Sequence, residues 1–502
     1  MSDRPGDIPI LPGFYPDPTI CRVGDTYYLA NSSFEYFPAV PLHESQDLID
    51  WRPLGHVLSS RRQFRRGDGR SSSGIYGGTL RHHAGKFWFV TTNVSDFRSG
   101  QVLVTATDPA GPWSEPIHVP GAIGIDPDIC WDGDRCLLSW KGLDFETERG
   151  ILQAELDPHT GVIGQPYEIW SGSGDDMVEG PHLYQIDGFW FLLLAEGGTE
   201  RGHRISIARS LQPEGPFEPS PANPILTRSG TTAVVQSTGH GDLIHMPDGG
   251  WAMVYLGTRP SGSTPGYHTL GRETFLAGVD WVDGWPIVET ERFARSSATT
   301  TWSDEFATEQ LHDRWVVPGG EPEAIVERSD RGITIRGSGP DQGVLCARVR
   351  DRHWAAEAIV RDAGQLLLRI DERHHYGLAL HDGVAEVVAR IGGLESSLGA
   401  IGASGEVTLR IASVAPAARP IPLGDAGPDD IVLSIHAGDG WRELSRLDGR
   451  YISTEVAGGF TGRMLALAGT PDGSCFVAVH YSPVETAGHA SAISVGSEEC
   501  VA

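Results

Sequence analysis

Along the first 260 residues, hydrophobic and polar positions follow one recurring layout. An alternating stretch runs into a turn at Gly or Asp, and a dense aromatic and branched run follows. The stretch Val178 to Ile186 alternates up to the turn Asp187-Gly188, and Phe189-Trp190-Phe191-Leu192 continues beyond it. This pattern predicts a β-hairpin. The same layout leads from Asp25 into Tyr27-Tyr28-Leu29-Ala30, from Gly85 into Phe87-Trp88-Phe89-Val90, from Asp134 into Leu137-Leu138-Ser139-Trp140, and from Asp248 into Trp251-Ala252-Met253-Val254-Tyr255. Further short strands fill the gaps, around Trp51, Trp113, Trp170 and Phe217. Repeats of about 50 to 60 residues with roughly four strands each predict a β-propeller, because a lone blade cannot bury both of its faces. Five copies predict five blades.

The pattern changes in the second half. Asp280-Trp281-Val282-Asp283-Gly284-Trp285 completes the last blade, and Arg292 to Thr301 reads as a linker rich in Ser, Ala and Thr. From Trp302 onward, alternating strands such as Gln365 to Ile370 and Tyr376 to Leu380 predict a β-sandwich, interrupted by a Pro- and Ala-rich loop from Ala415 to Pro428. The expected fold class is therefore all-β, with a five-bladed β-propeller over 1–300 and a β-sandwich over 301–502.

Composition narrows the partners. Lys plus Arg number 39 against 66 Asp plus Glu, a formal net charge of −27. That balance argues against nucleic acid and anionic lipid, and for a neutral or cationic ligand. The N-terminus has no basic and apolar leader pattern, no run approaches a membrane span, and six Cys in 502 residues make no disulfide framework. The expectation is a cytoplasmic protein. Cys130 and Cys136 flank the turn Gly133-Asp134 and are read as two ordinary thiols.

One position in the repeat carries chemistry. Eight residues before each turn stand Asp17, Gly77, Asp126, Glu179 and His240, spaced 60, 49, 53 and 61 residues apart. In a propeller, equivalent positions of successive blades ring the central axis, so three carboxylates and a histidine converge at one end of the channel. Paired carboxylates facing a neutral ligand are the equipment of glycoside hydrolysis: one protonates the leaving oxygen, the other serves as base or nucleophile. A third carboxylate keeps the acid protonated, and an arginine holds its neighbours ionised. His43, His82, His83 and His203 are read as surface or packing residues.

Five motifs then resemble family 43 of the glycoside hydrolases: Gly13-Phe14-Tyr15-Pro16-Asp17-Pro18, Gly124-Ile125-Asp126-Pro127, Val178-Glu179-Gly180-Pro181, Gly239-His240 and Leu270-Gly271-Arg272-Glu273-Thr274. The closer likeness is to its β-xylosidases and α-L-arabinofuranosidases with a C-terminal sandwich of the concanavalin-like jelly-roll type. The resemblance implies that Asp17 is the general base, Glu179 the general acid and Asp126 the residue that tunes the acid. It implies substrate contacts for Arg272 and His240, a subsite wall at Phe34, and a pocket closed by Phe460 from the sandwich. Inversion at the anomeric carbon would set Asp17 and Glu179 about 6.5–9.5 Å apart. No cofactor is implied; calcium in the channel near His240 and a homo-oligomer built on the sandwich are further expectations.

There is one departure. Where relatives carry Gly-Ile-Trp-Ala-Pro-Asp, this chain has Gly74-Ile75-Tyr76-Gly77-Gly78-Thr79. Tyr76 replaces the tryptophan platform and the blade loses its carboxylate, which leaves the choice between xylose and arabinose open. The expected function is exo-acting release of terminal pentose from xylo- or arabino-oligosaccharides. A fructan-cleaving propeller would need Asn-Asp-Pro and Arg-Asp-Pro motifs, which the chain lacks. A non-catalytic sugar-binding propeller would lose one of the three carboxylates.

Overall fold

The computed structural model describes residues 4–484 apart from 64–69, 144–147, 175–176, 263–265, 295, 297, 338–341, 417–425 and 438–439. Most of the Pro- and Ala-rich loop and two linker positions thus lie outside the described residues. The first half forms five antiparallel sheets, one per predicted repeat. Each sheet builds outward in chain order from an innermost strand: Thr19–Val23, Ile75–His83, Gly124–Asp132, Glu179–Ile186 and Gln236–His245. Asp187-Gly188 makes the expected tight turn, with Ile186 opposite Phe189.

The aromatic runs explain why the blades stack. Five buried apolar clusters sit at the five blade junctions. Phe89 and Val104 pack against Val57 of the first blade; Trp88 and Val90 against Trp140 of the third; Trp190 and Leu192 against Ile151; Phe191 and Ile205 against Tyr255; and Leu29 against Val254. Strand alternation sends successive side chains to opposite faces, so one strand feeds two junctions. The ring closes where the N-terminal segment runs beside the fifth blade: Ile10 N–H donates to Thr274 O at 2.9 Å and Tyr15 N–H to Arg272 O at 3.1 Å. Cys136 lies opposite Trp131 and Cys130 opposite Leu137, so the two thiols do not face each other, and both are free.

The last blade ends with Trp285–Glu289, and the first sandwich strand is Trp302–Asp304. Two antiparallel sheets, of eight and six strands, close over a core that includes Trp354, Leu366, Leu368, Phe476 and Tyr481. The sandwich is not tethered only by a linker. Val317–Pro318 pairs with Tyr36–Phe37 of the first blade, and Phe14, Phe34 and Tyr36 share an apolar cluster with Val344, Leu367 and Met464. No helix among the described residues is long and apolar enough to cross a membrane.

Candidate active site

Every innermost strand from the second blade on breaks its register near the ring position: between Ile75 and Gly78, Ile125 and Asp128, Glu179 and His182, and on both sides of Gly239. Such bulges bend a strand and re-aim a side chain. Asp17, Asp126 and His240 hold left-handed backbone conformations with φ of 50°, 54° and 45°, as does Gly180 beside Glu179. Strain of this kind in non-glycine residues persists only where the surrounding structure enforces it. All five ring positions, Asp17, Gly77, Asp126, Glu179 and His240, line one cavity of about 470 Å³.

Arg272 enters from the start of the fifth blade's third strand, and ring closure brings it against Asp17. It donates to Asp17 Oδ1 at 2.8 Å, to Asp17 Oδ2 at 3.3 Å and to Thr199 Oγ1 at 3.1 Å. Ser32 Oγ also donates to Asp17 Oδ2. Burial alone would raise Asp17, but the Arg272 guanidinium, His240 and Ser32 together hold it below the usual carboxylate range. Glu179 has the opposite surroundings. Burial, reinforced by the negative charges of Asp126 and Asp17, pushes it up to about 8. Burial likewise raises Asp126, with Asp17 adding to it and His240 opposing; its Oδ2 accepts Gly180 N–H at 3.1 Å. His240 Nδ1 lies between Asp17 and Asp126, at 3.8 and 4.0 Å.

Gly77, the ring position without a side chain, stands close against its neighbours, while the carboxylate of the relatives' motif aligns with Thr79. A Cβ at Gly77 would stand 2.8 Å from His240 Cε1 and 2.9 Å from Asp126 Oδ1, and one at Gly180 would stand 3.1 Å from His240 Nδ1. The His240 ring thus sits close against the backbones of both glycines. Aromatic rings make the wall. Phe460, from the sandwich, stacks on Phe34 at 5.6 Å and 27°, and Tyr76 packs edge-on against Phe34 at 5.0 Å. Arg272 lies over both phenylalanines, at 5.4 and 5.5 Å. Ser72 Oγ fixes the visitor by accepting Phe460 N–H at 2.8 Å.

Not all expectations held. His43, His82 and His83 do pack on Tyr15, Phe87 and Trp131. His203 instead is a buried wall residue of the cavity; burial, with His240 and Arg272 adding, pushes it down to about 3, so the ring is neutral. Thr199 and the Gly197-Gly198 turn were also unforeseen in the lining. Below the ring, the channel fits a cation poorly. Arg81 donates to Asp242 Oδ2 at 2.8 Å and to Asp128 Oδ1 at 3.0 Å, and these carboxylates also accept from Thr19 Oγ1, Tyr184 Oη and Leu183 N–H. A fixed guanidinium occupies the electrostatic role expected of calcium. No group of three metal-ligating side chains occurs among the described residues.

The chain is 34% identical over 504 aligned residues to a non-reducing end α-L-arabinofuranosidase of Bacteroides ovatus, covering 93% of this chain and 91% of that protein. It is 44% identical over 293 residues to a xylosidase/arabinosidase of Butyrivibrio fibrisolvens, covering 56% of each. Among solved structures, a xylan β-1,4-xylosidase from Bacillus halodurans superimposes with a TM-score of 0.84 at 28% identity, covering 95% of this chain and 100% of that one. The sequence profile of glycosyl hydrolases family 43 matches residues 7–286, the whole ring from Asp17 to Arg272 included, and the chain belongs to that family.

Proposed function

We propose that the protein is an inverting exo-glycosidase that releases terminal β-D-xylose or α-L-arabinofuranose from short oligosaccharides. The observation that carries the reading is the opposite tuning of two carboxylates in one cavity, Asp17 held ionised and Glu179 held protonated. Groups pushed apart in this way mark the base and the acid. Asp17 takes a proton from water as that water attacks the anomeric carbon. Glu179 gives its proton to the departing glycosidic oxygen, and Asp126 keeps Glu179 protonated until that moment. Arg272 keeps Asp17 ionised and aimed through its paired hydrogen bonds. The stacked Phe34 and Phe460 close one side of the cavity, which suits a chain end rather than a chain interior.

Both named activities occur among the relatives, and the pocket favours neither on its face. The test is hydrolysis of nitrophenyl β-D-xyloside and nitrophenyl α-L-arabinofuranoside side by side, with the first-formed anomer read by NMR. The expected result is turnover of at least one with inversion. No turnover of either contradicts the substrate class, and retention contradicts the assignment of Asp17 as base.

A further inference from the structure

A second cavity, of about 250 Å³, lies between the first blade and the sandwich. Three arginines, Arg314, Arg348 and Arg350, and three histidines, His43, His56 and His312, contribute to its lining; Asp313, exposed, is the carboxylate there. In a chain with a net charge of −27, this is a local reversal of sign.

The cations are built in rather than draped over the surface. Arg348 is 5% exposed; its Nε–H donates to Phe14 O at 2.7 Å and its guanidinium lies 4.7 Å above the Tyr15 ring. Arg314 stacks 4.4 Å from the Trp302 ring. Six buried polar atoms of the lining have no hydrogen-bond partner among the described residues: Arg348 Nη2, Arg314 Nε and Nη1, Arg350 Nε, His43 Nδ1 and His56 Nε2. Asp304, which attracts Arg314, is already bound by Trp315 Nε1 and Phe306 N–H, both at 2.8 Å. Asp351, which attracts Arg350, already accepts Tyr481 Oη–H at 2.8 Å. Burial, with Arg348 adding, pushes His56 down to about 3, and burial, with Arg350, Arg348 and His56 adding, holds His43 well below its ordinary value.

Buried cations that leave N–H groups unpaired are costly, and a guanidinium fork matches an oxyanion with two parallel hydrogen bonds. Stacking on Tyr15 and Trp302 holds two of the forks in place before any ligand arrives. The acidic exterior repels polyanions, and the volume admits only a small molecule. We propose that this interdomain cavity binds a small oxyanion, a phosphate or a compact carboxylate, and thereby ties the first blade to the sandwich.

The experiment is thermal unfolding and titration calorimetry of the full chain in inorganic phosphate, in citrate, and in sodium chloride at matched ionic strength. A ligand confined to the folded state raises Tm in a saturable, concentration-dependent way. The expected result is such a rise with phosphate, citrate or both, well beyond that in chloride, and the two arms distinguish a tetrahedral from a carboxylate ligand. Arg350→Gln and Arg314→Gln lie outside the catalytic cavity. Each should weaken the affinity at least tenfold, while leaving Tm in chloride equal to or above that of the unsubstituted protein, because a like charge has been removed. The proposal is overturned if all three salts act alike on the unsubstituted protein, or if both variants keep its full response.

Discussion

The proposed acid role of Glu179 rests on its surroundings, and its protonation is linked to stability. Its carboxyl is raised from an ordinary 4.5 to about 8 by burial first and by Asp126 and Asp17 next. The folded chain therefore keeps a proton that the unfolded chain releases between those values, so this group's contribution to stability falls as pH rises through that window. Gln imitates the protonated form and does not titrate. Glu179→Gln should match the unsubstituted protein in Tm near pH 4 and exceed it at pH 8; parallel Tm curves from pH 4 to 9 would remove the claim of a raised carboxyl. Stability given up at the position proposed for the acid is the usual trade.

At the scale of the strand, the eight-residue offset was legible because each hairpin repeats the same length from ring to turn. Bulges at those positions do not disturb the count; they only re-aim the side chain. What the offset hid is a second ring one step down each strand. Thr19, Thr79, Asp128 and Asp242 stand two residues beyond the ring positions, and His182 three beyond Glu179, where Gly180 absorbs the bulge. Period-two alternation would have found the first four, and Arg81 with them, but not His182, which the bulge shifts by one. His203 and Thr199 had no such signal, since they come from the loop between the fourth blade's second and third strands, which the hairpin pattern does not cover. Gly77 is the strand-level test. Gly77→Ala places a methyl group against His240 and Asp126. It should lower kcat/KM by about 100-fold through misplacement of the ring, with a smaller effect on Tm. Unchanged kinetics would mean that the glycine is incidental.

For the molecule as a whole, the two domains make one site. Composition and periodicity revealed both halves, but not that Val317–Pro318 would add to the first blade or that Thr269 O would accept Arg463 N–H at 2.9 Å just ahead of Arg272. Such contacts join residues far apart in sequence and leave no local pattern. The channel beneath the site is likewise a whole-molecule feature, because Arg81 links the second, third and fifth blades through Asp128 and Asp242. Prolonged chelation should leave activity intact. Arg81→Met should cost about 3–5 kcal/mol of stability by stranding two buried carboxylates. Loss of activity on chelation, restored by calcium, would contradict the reading of Arg81 as the channel's cation.

The central claim, that Asp17 is ionised while Glu179 is protonated, is tested most directly by the pH dependence of kcat/KM. The measurement compares the unsubstituted enzyme on an unactivated pentoside with Glu179→Gln on an aryl pentoside whose leaving group needs no proton. The free enzyme should lose activity through an alkaline limb near pH 8, and the variant should show no such limb while keeping the acid limb set by Asp17. An alkaline limb that persists in Glu179→Gln would contradict the account.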